Sequence, residues 1–143
     1  MKLMLVICVF LVLSGLSSGQ AGNDPESVIG RMVDTGSLEG HDQKVIGGMG
    51  DAGAVLLTNV LAGKDLTSGT IDNSLVVIDA VFADPSLVEP AGDRQPRTAL
   101  LLLRYFDLST NDVALKKRIV DATKYVQDRY AASLRNSRSV THD

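Results

Sequence analysis

The stretch Val45-Ile46-Gly47-Gly48-Met49-Gly50-Asp51-Ala52-Gly53-Ala54-Val55 carries the spacing G-x-G-x-x-G at Gly48, Gly50 and Gly53. Glycines so placed let backbone amides approach a pyrophosphate at the start of a helix, the chemistry of a dinucleotide-binding turn. Leu75-Val76-Val77-Ile78-Asp79 would then be a second strand, with Asp79 as the ribose-binding carboxylate. Such a turn needs Val45-Ile46 to be a strand, yet the polar run Gly40-His41-Asp42-Gln43-Lys44 precedes it and only helical patterns follow Asp79. A corner between two helices is the competing explanation. There Gly50 turns the chain, Asp51 caps the next helix, and Gly53 permits close packing.

Other catalytic constellations are missing from the sequence. Neither His41 nor His142 has a His or Glu partner four residues away, and the single cysteine, Cys8, lies in an apolar N-terminal run. A structural zinc site built on cysteines is therefore excluded, and both histidines are expected on a solvated surface without a metal. The one G-x-S-x-G string, Gly15-Leu16-Ser17-Ser18-Gly19, falls among the small residues that follow the apolar N-terminal run, with no strand before it and no helix after it to form an elbow. No S-x-x-K pair occurs, and Gly63-Lys64 lacks the upstream glycine and following Ser or Thr of a phosphate loop. The one suggestive charged group is Asp84, Glu89, Asp93, Arg94, Arg97 and Arg104. Arg97 and Arg104 are seven apart and share a helical face, so their forks could receive a partner's carboxylates. Arg94, Arg97, Arg104 and Tyr105 are the expected partner contacts, with capping and solvation of that face as the plainer alternative.

These residues must be positioned by a chain of 143 residues. Met1-Lys2, the apolar run Leu3 to Leu13 and the small residues Ser14 to Ala21 have the layout of a secretory signal peptide over 1–21. The apolar run is about half of the roughly 20 residues that a membrane span needs. The expectation is an exported protein, periplasmic or extracellular, with no membrane insertion once the leader is removed. Loss of Lys2 leaves 13 basic against 17 acidic residues, a balance that does not favour nucleic acid or anionic lipid. With no cysteine outside the leader and no tryptophan, one domain over 22–135 must be held by an aliphatic core.

Helical periodicity recurs along that domain. Asp24-Pro25-Glu26 opens a helix over about 25–35, a thinly apolar segment spans 38–49, and a third helix runs from Asp51 to about Ala62. Asp72 or Asn73 is expected to cap a fourth helix ending near Phe82, and Asp93 and Pro96 to open a fifth through Phe106. The density of Ala99-Leu100-Leu101-Leu102-Leu103 suggests a helix buried on most sides. Ser109-Thr110-Asn111-Asp112 caps a long amphipathic helix over 112–135, whose stripe is Leu115, Ile119, Ala122, Val126, Tyr130 and Leu134. Residues 136–143 read as a disordered tail.

In this setting "MGDAGAVLLTNVL" resembles the part of a HEAT-type repeat where a first helix ends, an Asp marks the turn and an apolar second helix follows. "SLVVIDAVFADPSLV" followed by "GDRQPRTALLLLRYF" is similar to a second copy, and Gly50-Asp51 precedes Gly92-Asp93 by 42 residues, within the roughly 40–47 of such repeats. The second copy departs from the pattern in its long, proline-bearing loop. The resemblance covers about 38–106 and implies a short all-α solenoid of antiparallel helix pairs, closed by the long C-terminal helix. It also implies a protein-binding or scaffold role without catalytic residues or cofactor. The alternatives are a dinucleotide-binding enzyme using the glycine turn, or an accessory or inhibitor subunit of an exported enzyme.

Overall fold

The computed structural model describes residues 24–84 and 96–140. The leader-like residues 1–21 and Arg94 lie outside them, as do most of the expected loop 83–92 and residues 141–143. Among the described residues the fold is all-α, with six helices: α1 (Pro25–Thr35), α2 (Gly40–Ile46), α3 (Asp51–Leu61), α4 (Ser68–Val81), α5 (Arg97–Ser109) and α6 (Val113–Val140). No helix among them is long and apolar enough to cross a membrane.

Local chemistry accounts for most helix ends. The Asp24 carboxylate accepts the Ser27 N–H at 3.1 Å, Pro25 fits the first turn, and Gly36 ends α1 with φ 71°. That left-handed residue has no room for a side chain, because a Cβ would lie 2.5 Å from Asn73 Oδ1. Asn73 itself donates through Nδ2 to the Val33 carbonyl at 2.8 Å, so α4 caps the end of α1. Asp112 accepts the Leu115 N–H at 3.1 Å and starts α6, as its sequence position suggests.

Four boundaries differ from the periodicity. The α2 helix is shorter than 38–49. Beyond Ile46 the chain turns through Gly47, where a Cβ would meet the Gln43 carbonyl at 2.4 Å. The α4 helix begins at Ser68 and not at Asp72, because the Thr67 hydroxyl accepts the Thr70 N–H at 3.1 Å and supplies the cap one turn earlier. The α5 helix continues past Phe106 to Ser109. Finally, α6 runs to Val140, so residues 136–140 are helical where the sequence suggests a tail; no Gly or Pro interrupts them.

The helices form three layers. The α1 and α2 helices make one outer layer, α3 and α4 the middle, and α5 and α6 the other outer layer; α3 packs on α5, and α4 on α6. Short connections fold α4 back on α3 and α6 back on α5. Both of these pairs are in contact, and α1 packs most extensively on α4, whereas α2 with α3 and α4 with α5, the pairs of the repeat alignment, scarcely touch. The core is aliphatic apart from Phe82 and Phe106, and runs from Ile29 and Met32 through Leu57, Leu75 and Ile78 to Leu103 and Ile119. Two expectations for the outer layer need correction. Leu101 is 67% exposed, so α5 is amphipathic and not buried on most sides, and Tyr130 is only half-buried.

Leu103 and Leu101 therefore make a paired test of this packing. Leu103→Ala is expected to cost about 2–5 kcal/mol in urea denaturation. Leu101→Ala should stay within about 0.5 kcal/mol of wild type, as surface substitutions usually do.

Candidate functional site

The glycine-rich stretch lies at the junction of the middle and outer layers. Val45 and Ile46 form the last turn of α2 and Leu75 to Ile78 lie inside α4, so neither segment is a strand. The strand–turn–helix geometry that would make Gly48, Gly50, Gly53 and Asp79 a dinucleotide site is thus not formed. Gly50 adopts φ 56°, ψ −129°, a conformation open to glycine alone, and donates its N–H to the Val81 carbonyl at 2.8 Å. Gln43 Nε2 donates to the Ala80 carbonyl at 3.1 Å, and the Asp84 N–H donates to the Gly47 carbonyl at 3.1 Å. The corner therefore supplies donors to the last two carbonyls of α4, those of Ala80 and Val81. Gly53 faces the same helix end so closely that a Cβ would lie 2.5 Å from Val81 Cγ1 and 2.8 Å from its Cβ.

Asp51 performs a different task from the cap expected of it. Gly50 is the N-cap of α3, and the Asp51 carboxylate accepts the N–H groups of Ala99 at 2.8 Å and Thr98 at 3.2 Å. It thus sits against the positive ends of α3 and α5 together. Asp79 lies away from the corner, beside a hollow lined by Leu75, Arg118, Asp121, Ala122 and Tyr125. Partial burial there pushes its carboxyl above the usual range.

Of the expected partner contacts, three are described residues, and two of these share one face. Arg97 and Arg104 are exposed on the outer face of α5 and alternate with Leu101 and Leu108, the latter 75% exposed. These four positions step by four, three and four, which makes one stripe along a helix. Tyr105 turns from that stripe into a cleft of about 670 Å³ between the ends of α3 and α5, lined also by Leu61, Leu66, Leu102 and Leu108. The volume is in the range of ordinary ligand pockets, and its walls are mainly apolar.

A second cluster, unforeseen in the sequence, lies where α1 meets the start of α2. Asp42 is fully buried there and its Oδ2 contacts Arg31 Nη2 and accepts the Glu39 N–H at 2.8 Å. Arg31 Nη1 lies 3.5 Å from Glu39 Oε1. His41 Nε2 is 3.3 Å from Asp42 Oδ1, and its Nδ1 is 3.9 Å from Glu39 Oε2. Burial, the largest single influence on Asp42, favours the neutral acid. It is outweighed by the Arg31 hydrogen bond, the Glu39 amide and the positive charge of Arg31, and the carboxyl is held below its usual range. The spacing Glu39, His41, Asp42 is a sequence signal only once the first turn of α2 is known to begin at Gly40.

No protein-family model matches the chain, and no curated protein or solved structure does so.

Two outcomes follow from this geometry. Gly53→Ala should destabilise by about 1–3 kcal/mol through overpacking against Val81. In a double-mutant cycle, Val81→Ala should recover part of that loss, read as a favourable coupling in denaturant titrations. Asp42 has a depressed folded-state pKa, so its contribution is full above the unfolded value of about 3.9 and disappears as pH falls through the lower folded value. Asp42→Asn should thus be less stable than wild type at pH 7, and the gap should narrow below about pH 4 in thermal melts.

Proposed function

We propose that this chain is a non-catalytic binding module that receives an acidic, amphipathic segment of a partner protein on the outer face of α5. The observation that carries this proposal is the stripe Arg97, Leu101, Arg104 and Leu108, in which two large aliphatic side chains mostly in water alternate with two exposed guanidinium groups. A leucine at this exposure contributes little to folding, and arginine forks favour carboxylates. Neither arginine is drawn into an ion pair among the described residues. The adjoining cleft offers Tyr105 and Leu108 as an anchor pocket, a common arrangement for the centre of an interface.

The stacking of α3 on α5 and α4 on α6 supports a short helical-repeat scaffold as the architecture behind this role, since such stacks present one helix of each pair along a face. The composition of residues 1–21 supports an exported setting. The repeat resemblance and the exposed stripe point the same way, toward recognition of another polypeptide.

Affinity capture with the full chain, followed by binding measurements on the captured partner, tests the proposal. Leu101→Asp and Arg104→Glu should each weaken that partner's affinity at least about tenfold, the effect of losing a central contact, with melting temperatures unchanged. Equal affinity for both variants and wild type would reject the stripe as the binding face.

A further inference from the structure

The cluster at the α1–α2 junction does more than hold a helix end in place. The geometry points to a binding site for a divalent transition-metal ion of the zinc class, formed by Glu39, His41 and Asp42 with Arg31 as its outer support. One donor atom from each of the three residues lies within 4.8 Å of the other two. The pair His41 Nε2 and Asp42 Oδ1, at 3.3 Å, already has the separation of two ligands on one ion. Metal–ligand bonds of about 2.0–2.1 Å in a tetrahedron place neighbouring ligands about 3.3–3.4 Å apart.

Asp42 Oδ1 supplies a separate reason. It is buried on a side chain with 0% exposure and has no hydrogen-bond partner. A buried carboxylate oxygen is costly to leave unsatisfied. His41 is close enough to satisfy it, yet the two atoms are not in hydrogen-bond alignment. Two donors that stand side by side without aiming at each other are disposed to share a third atom. An ion there would satisfy Oδ1 and bind the imidazole lone pair together.

The surroundings fit that ion. Asp42 Oδ2 is held by Arg31 and the Glu39 amide, which fixes the carboxylate plane and leaves Oδ1 as the free donor. Support of this kind around a ligating carboxylate is typical of metal sites. Two carboxylates against one guanidinium leave the cluster one unit negative when the imidazole is neutral. His41 and Glu39 have side chains 55% and 60% exposed, so the ion has an entry path and the third donor can rotate into place. The imidazole selects zinc, cobalt, nickel or copper over magnesium and calcium, which prefer oxygen alone.

Calorimetric titration of the full chain with Zn²⁺ in a non-chelating buffer tests the site, with Co²⁺ absorption as a second readout of nitrogen and oxygen ligation. One saturable ion per chain is expected. His41→Ala and Glu39→Gln change exposed side chains and leave the Asp42–Arg31 contact intact, and each should weaken Zn²⁺ at least about tenfold. His142→Ala, the only other histidine, should bind as wild type does. Zn²⁺ should also raise the melting temperature of wild type and not of His41→Ala. The site is refuted if wild type shows no saturable binding below millimolar Zn²⁺, if His41→Ala keeps wild-type affinity, or if His142→Ala removes the binding.

Discussion

The hydrogen bond from the Gly50 amide to the Val81 carbonyl is the contact on which the arrangement of the layers turns. Every helix leaves carbonyls without partners at its last turn, and a buried end must find donors elsewhere. The end of α4 finds them in the corner between α2 and α3: Gly50 for Val81 and Gln43 for Ala80. The geometry demands a backbone conformation at Gly50 that a side chain would forbid, and it brings Gly53 against Val81 at a distance that a methyl group would violate. From the same corner Asp51 reaches the first amides of α5. One short segment thereby fixes where α4 stops and where α5 starts.

This economy matters because the core has few other anchors. Lacking tryptophan and any cysteine among the described residues, the interior relies on close contact between aliphatic side chains. Small residues at the helix crossing let the middle layer come close enough for Leu57, Leu75 and Ile78 to be buried with those of the outer layers. Surface ion pairs such as Lys64 with Asp34 and Arg118 with Asp72 add little by comparison, since exposed pairs are weak. Asp42 and Arg31 are the exception in kind, a charge pair with one member wholly removed from water.

Much of the helix layout was legible because its signals are local. Asp24 with Pro25, and Asp112 before the α6 stripe, show their capping role within a few residues, and glycine at 50 marks a turn in any reading. The helix-corner explanation for Gly48, Gly50 and Gly53 was open from sequence because the flanking runs lacked strand character. What stayed hidden depends on chain segments far apart. Nothing near Asp51 indicates that its acceptors serve residues 98 and 99. The polar run around Thr67 resembles a turn, and only its hydroxyl geometry identifies it as a cap. In the same way, Arg31 enters the Asp42 cluster because α1 packs on α2, a contact that no local pattern signals. The outward position of Leu101 was concealed by its neighbours, since the five consecutive apolar residues 99–103 conceal a helical phase.

Because the corner grips both the finish of α4 and the beginning of α5, the closure of the chain between them is already fixed by contacts outside it. Adding residues to a connection whose ends are held raises the entropy cost only logarithmically, by about 0.6 kcal/mol for each doubling. The register of α5 against the middle layer is consequently anchored by contacts that lie outside residues 85–95.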